Sequence, residues 1–121
     1  MTLVVWIGLT LLGGVGAVLR FVVDGTVGRR MSGTMPYGTL VVNLSGAALL
    51  GLLVGLAPSK DAALLLGTGV LGAYTTFSTW MFETQRLVEE RQLARAALNI
   101  AVSVAAGVAT AALGLWIGGR L

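Results

Sequence analysis

The chain has 121 residues, 56% of them hydrophobic and 11% charged, with 18 glycines and a formal net charge of +3. So little polar surface excludes a soluble domain of this size and places the chain in a membrane. The lack of cysteine and histidine excludes disulfides, thiol chemistry, haem ligation and imidazole metal sites, and the eight basic residues are too scattered to form a nucleic-acid stripe.

Four charge-free runs, 1–19, 31–59, 62–82 and 96–119, each approach or exceed the roughly 20 residues that cross a bilayer as helix. They predict an all-α membrane protein, a single unit over 1–121 with transmembrane helices at about 2–23, 37–56, 62–90 and 96–119. The first run has no basic segment ahead of it and no convincing cleavage site after it, so it is expected to stay as a helix. It carries GGVGAVLR at 13–20, whose glycines permit close helix approach. Arg20 stands near the expected helix end, where an arginine either snorkels to the interface or plays a buried structural role. A turn-rich connection is predicted from Asp24 to Pro36, with Gly25, Gly28 and Gly33 inside it and Pro36 suited to the first turn of the next helix.

In the second helix Thr39, Asn43, Ala47, Gly51 and Gly55 recur every four residues and share one face. Asn43 must find partners, because an unsatisfied amide in an apolar medium costs roughly 2–7 kcal/mol. Interhelical glue and pore lining are equally open readings of it. Gly51 and Gly55 form a small-residue packing step. The third span contains Gly67-x-Gly69-x-x-Gly72, a literal dinucleotide fingerprint, but no strand precedes it and no residues remain for a sheet. Four hydroxyl side chains follow in five positions, Thr75, Thr76, Ser78 and Thr79. Glycine and threonine here weaken a continuous helix, which predicts a break near Gly72 and Thr75, the kind of interruption that serves ions in membrane proteins. Phe77 and Trp80 share a face at i and i+3, and Glu83 is either interfacial or buried at cost. The fourth helix puts Asn99, Ser103, Gly107 and Ala111 on one face, with Gly114 and Gly118 as a second small-residue step. Lys60 and Arg120 face Arg29, Arg30, Arg91 and Arg95 across the span, a bias weak enough for insertion in both orientations.

GGVGAVLR at 13–20, GTLVVNLSGAALLG at 38–51, GVLGAYTTFSTWMFE at 69–83 and LNIAVSVAAG at 98–107 together resemble the Fluc (CrcB) family of fluoride channels. The resemblance covers all four helices. It implies an antiparallel dual-topology dimer with two fluoride pores and a central structural sodium ion, although some family members pair two different subunits. The partners implied are the fluoride ion, the lipid bilayer and a second subunit, and the location a bacterial or archaeal plasma membrane. Carried over by position, Asn43 lines the pore, Phe77 offers a ring edge to the anion, and Ser78 and Thr79 fall on the polar side of the third helix. Ser103 matches a pore-side serine, Glu83 a possible pore-access acid and Arg20 a structural position. The backbone carbonyls of Gly72 and Thr75 from both subunits would hold the sodium. Trp80, carried over as a pore residue, departs from the pattern, which has a second Phe there: either its indole N–H serves as an extra ligand for the anion or its wider ring narrows the path, and the second is expected. A small dual-topology multidrug-type exporter is the alternative, but it expects a carboxylate in the first helix and residues 1–19 have none. No arrangement of nucleophile, base and oxyanion donors suggests an enzyme.

Overall fold

A computed structural model describes residues 1–31 and 33–121, and these are helical apart from short connections. The chain runs through α1 (Leu3–Arg30), α2 (Tyr37–Gly55), α3 (Lys60–Ala63), a π-helical segment (Leu64–Leu71), α4 (Gly72–Tyr74), α5 (Ser78–Glu89) and α6 (Leu93–Arg120). By length and composition, α1, α2 and α6 can each cross a membrane. The pieces from α3 to α5 make up the interrupted third span.

Three boundaries differ from the sequence reading. Helix α1 continues to Arg30 instead of ending near Val23, so Asp24 to Arg30 is not a connection; Ser32, in the same stretch, lies outside the described residues. A helical glycine costs only about 1 kcal/mol relative to alanine, too little for Gly25 and Gly28 to end a helix that keeps its ladder. At 28 residues α1 is about 42 Å long, more than the roughly 30 Å hydrocarbon core, and its last turns carry Arg29 and Arg30 where the helix dipole favours cations. Docking also holds this end, since a Cβ on Gly38 of α2 would collide with the Asp24 side chain. Helix α3 begins at Lys60, capped by Ser59 Oγ accepting from Ala62 N–H at 3.3 Å, and α6 begins at Leu93, before the expected Ala96.

Helices α2 and α6 form the most extensive pairing in the protomer. Gly51 faces the Ala111 carbonyl and Gly55 that of Leu115, while Gly114 faces the Ala48 carbonyl and Gly118 that of Leu52. A Cβ at any of the four would overlap those backbones. Lipid gives helices no hydrophobic reason to associate, so such backbone approach is what holds them. On the other side α1 lies against the π segment, with Gly16 over the carbonyl of Val70. Val42, Leu71 and Tyr74 form the buried cluster between these layers, with Val23 packed against it.

Gly114→Val is expected to destabilise the protein by about 3 kcal/mol through overpacking. Gly107→Ala, where an added Cβ meets nothing within 4 Å, is expected to be neutral or to stabilise by up to about 1 kcal/mol. Thermal unfolding in detergent checks both, and equal effects would count against the α2–α6 seam.

Candidate functional site

The helix break is defined by where two backbone N–H groups go. Leu71 C=O accepts from both the N–H and the hydroxyl of Thr75, each at 3.0 Å, and the chain then turns extended at Thr75, with ψ of 160°. Thr76 N–H leaves the helical ladder and donates to Asn43 Oδ1 at 2.8 Å, while Asn43 Nδ2 donates to Thr76 C=O at 2.8 Å. One amide side chain thus satisfies both polar groups of one peptide residue. Thr79 N–H donates to Thr76 Oγ1 at 3.2 Å, a side-chain cap on the first turn of α5. In a continuous helix the N–H of Thr76 would serve Gly72 C=O, and that of Thr79 would serve Thr75 C=O. Both carbonyls lose those donors. The break itself opens at Thr75, not at Gly72: Gly72 is helical, closing the wide turn of the π segment by donating to Gly67 C=O.

Two hollows adjoin this break, and a third lies farther along the third span. A groove of about 410 Å³ has Asn43, Gly72, Thr75, Thr76, Phe77 and Trp80 in its wall. Phe77 is 70% exposed, and its ring meets that of Trp80 edge to face at 5.7 Å and 78°. A cavity of about 330 Å³ collects Arg20, Asp24, Thr39, Thr76 and Thr79. Because α1 extends to Arg30, Arg20 is about 15 Å from the helix end, so the premise that it sits near a terminus does not hold. A third cavity, about 310 Å³, lies at the end of the bundle where α1 gives way to α2 and holds Asp24, Glu83, Arg86 and Glu90. Glu83 is half-buried there and accepts from Thr39 Oγ1 at 2.5 Å. Ser78 is exposed, its hydroxyl 3.5 Å from that of Thr76.

The small and polar faces read from the sequence divide in space. Gly51 and Gly55 meet α6, but Thr39 and Asn43 turn to the third span. Ser103 is half-buried on α6 and is not in the groove wall with Asn43 and Trp80. Five supporting residues, Ser45, Gly46, Tyr74, Thr84 and Asn99, were not assigned to the site by the sequence reading. Ser45 Oγ and Tyr74 Oη are 2.9 Å apart, tying α2 to the turn before the break. Gly46 lets that turn approach, since a Cβ there would strike Thr75 Cγ2. Asn99, 2% exposed, donates through Nδ2 to Thr84 Oγ1 at 2.9 Å, and Thr84 donates to Trp80 C=O at 2.8 Å. The small run Ser45-Gly46-Ala47-Ala48 and an asparagine inside an apolar helix were the available signals.

Asn43→Leu would orphan both the N–H and the C=O of Thr76, at about 1–3 kcal/mol each. It is expected to destabilise the fold by about 3 kcal/mol, against about 1 kcal/mol for Thr76→Val, which removes only the cap. Unfolding midpoints in detergent check the ranking; an Asn43→Leu protein as stable as the parent would show that the clamp contributes nothing.

Residues 7–115 match the family described as CrcB-like protein, Camphor Resistance (CrcB). A Mycobacterium tuberculosis protein named Fluoride-specific ion channel FluC 2 is 64% identical over 117 residues, 97% of this chain and 93% of the relative. A Mycolicibacterium paratuberculosis protein of the same name is 68% identical over 113 residues, 93% of each. One from Moorella thermoacetica, also so named, is 43% identical over 113 residues, 90% of this chain and 93% of that one. These relatives are named as ion channels, not as enzymes. With the match running from the first helix into the last, the chain belongs to the CrcB-like family, whose curated relatives here are fluoride-specific ion channels.

Proposed function

We propose that the chain is the subunit of a fluoride-selective channel that exports cytoplasmic fluoride across the plasma membrane, built as an antiparallel dual-topology dimer with two pores. The observation that carries the reading is the break at Thr75, where N–H groups are satisfied internally and polar side chains gather beside a groove. The names of the relatives supply the ion.

A small anion enters a pore only if donors replace its water without a fixed positive charge that would trap it. Asn43 spends one amide hydrogen on Thr76 and retains the other. Ser78 and Thr79 add hydroxyls along α5, and Phe77 presents a ring edge of partial positive charge. Ser103, outside this groove in the protomer, joins the path from a second copy. Glu83, held by Thr39, stands in the cavity at the loop end of the bundle as the pore-access acid, and Arg20 keeps the neighbouring cavity polar without a place in the path.

A structural sodium fits the same break. Among the described residues no three of His, Cys, Asp and Glu come together, so a cation here rests on carbonyl oxygens. The carbonyls of Gly72 and Thr75 are among those at the break that lose their helical donors, Thr76 N–H going to Asn43 and Thr79 N–H to the Thr76 hydroxyl. Both residues retain accessible surface in the protomer, as a site shared with a second copy requires. When bound, the ion contributes positive charge that offsets the dehydration of a nearby anion.

Liposomes containing only this purified chain are expected to release fluoride and retain chloride. Release of both ions, or of neither, would overturn the channel reading. Thorough replacement of sodium by N-methylglucamine should slow fluoride release several-fold, and an unchanged rate would remove the sodium from the proposal.

A further inference from the structure

We propose that the indole N–H of Trp80 is a hydrogen-bond donor to the permeating fluoride, and therefore helps to set specificity. The proposal rests on the channel reading above. Most donors in the groove wall are already committed. The Thr75 hydroxyl serves Leu71 C=O, Thr76 N–H serves Asn43, and one hydrogen of the Asn43 amide serves Thr76 C=O. Trp80 differs: its Nε1 is buried and, among the described residues, pairs with nothing.

A buried donor without a partner is rare in folded proteins and calls for an explanation. Packing holds this one in place. Thr84 bonds the carbonyl of Trp80 and is itself held by Asn99, and the Phe77 ring stands against the indole. Replacing the tryptophan by phenylalanine would keep an aromatic surface and remove the orphan, so the ring alone does not account for an indole here.

The chemistry favours a small, strong acceptor. An N–H that is buried and unpaired in the resting conformation has no hydrogen bond there to surrender when an anion arrives, so the new bond is offset little on the donor's side. Fluoride, with its charge concentrated in a small volume, gains more from such a donor than chloride does. Phe77 is 70% exposed, and exposed rings change rotamer on the picosecond to nanosecond scale, which gives the anion a way to the indole edge. This reverses the expectation drawn from ring size alone, in which the indole only narrows the path.

Trp6, Trp80 and Trp116 are the three tryptophans of the chain, so the indole N–H resonances of full-length protein in lipid nanodiscs can be assigned by single Trp→Phe variants. Titration with sodium fluoride should move the Trp80 resonance saturably and leave Trp6 and Trp116 in place, and sodium chloride at equal ionic strength should move none. Trp80→Phe that still elutes as a folded dimer should release fluoride about tenfold more slowly, the loss expected for one hydrogen bond to a charged group. A stationary Trp80 resonance in protein that conducts fluoride, an equal response to chloride, or undiminished flux in Trp80→Phe would overturn the donor and leave the channel reading intact. Wild-type protein without fluoride release would overturn both.

Discussion

The third span depends on one side chain from another helix. An interrupted helix in lipid leaves peptide groups that no water can satisfy, each costing several kcal/mol. Asn43 carries one acceptor and two donor hydrogens on a planar amide, and it meets Thr76 at both the N–H and the C=O, at 2.8 Å each. An amide can do this because its own geometry mirrors a peptide's. The glue and pore readings of Asn43 are therefore compatible, since the clamp leaves one amide hydrogen over for other use.

That clamp works only because α2 is held still. The seam with α6 fixes α2 through backbone-to-backbone approach at Gly51 and Gly55 of α2 and at Gly114 and Gly118 of α6, which meet Ala48 and Leu52, all on the half of α2 nearer its C-terminus. The other half is then free to face the third span, where Gly46 admits Thr75 and Ser45 meets Tyr74. On the far side of the break, Asn99 and Thr84 anchor α5 to α6. Both ends of the interruption are thus tied to the same helix pair, directly through α2 or through α6, which makes the gap a defined shape instead of a hinge.

Hydropathy was sufficient to read four helical spans and an interrupted third one, because charge-free runs and a hydroxyl block are local signals. Boundaries were less legible where a tertiary contact sets them. Gly25 and Gly28 read as turn residues, yet the docking of Gly38 on Asp24 and an unbroken ladder carry α1 to Arg30. Gly72 and Thr75 together read as the break, and the interruption falls at the second of them, Thr75, where Asn43 competes for the next N–H from 33 residues away in sequence. No local pattern encodes that competition. The burial of the Trp80 nitrogen, unpaired among the described residues, was equally hidden, since the indole donor is visible in the sequence but its burial depends on how α5 packs. Of the two readings of Arg20, the interfacial one loses its premise for a related reason, since the helix end was placed too early, while the structural one stays open.

The polarity of the break has a consequence for which groups it leaves to meet an ion. Half-helix N-termini in broken spans commonly hold anions through free N–H groups, and free carbonyls hold cations. Here Thr76 N–H goes to Asn43 and Thr79 N–H goes to the Thr76 hydroxyl, so the start of α5 has lost donors it would offer an anion. The same two diversions expose acceptor capacity at Gly72 and Thr75. The backbone at the interruption thus offers carbonyl oxygens at Gly72 and Thr75 alongside the N–H groups of Phe77 and Ser78, which are not diverted in this way, and side-chain donors stand beside it. Asn43, the hydroxyls of α5 and the aromatic pair Phe77 and Trp80 occupy that position, on the groove or next to it. One geometry then sets backbone oxygens and neutral side-chain donors side by side, two kinds of group that suit ions of opposite charge.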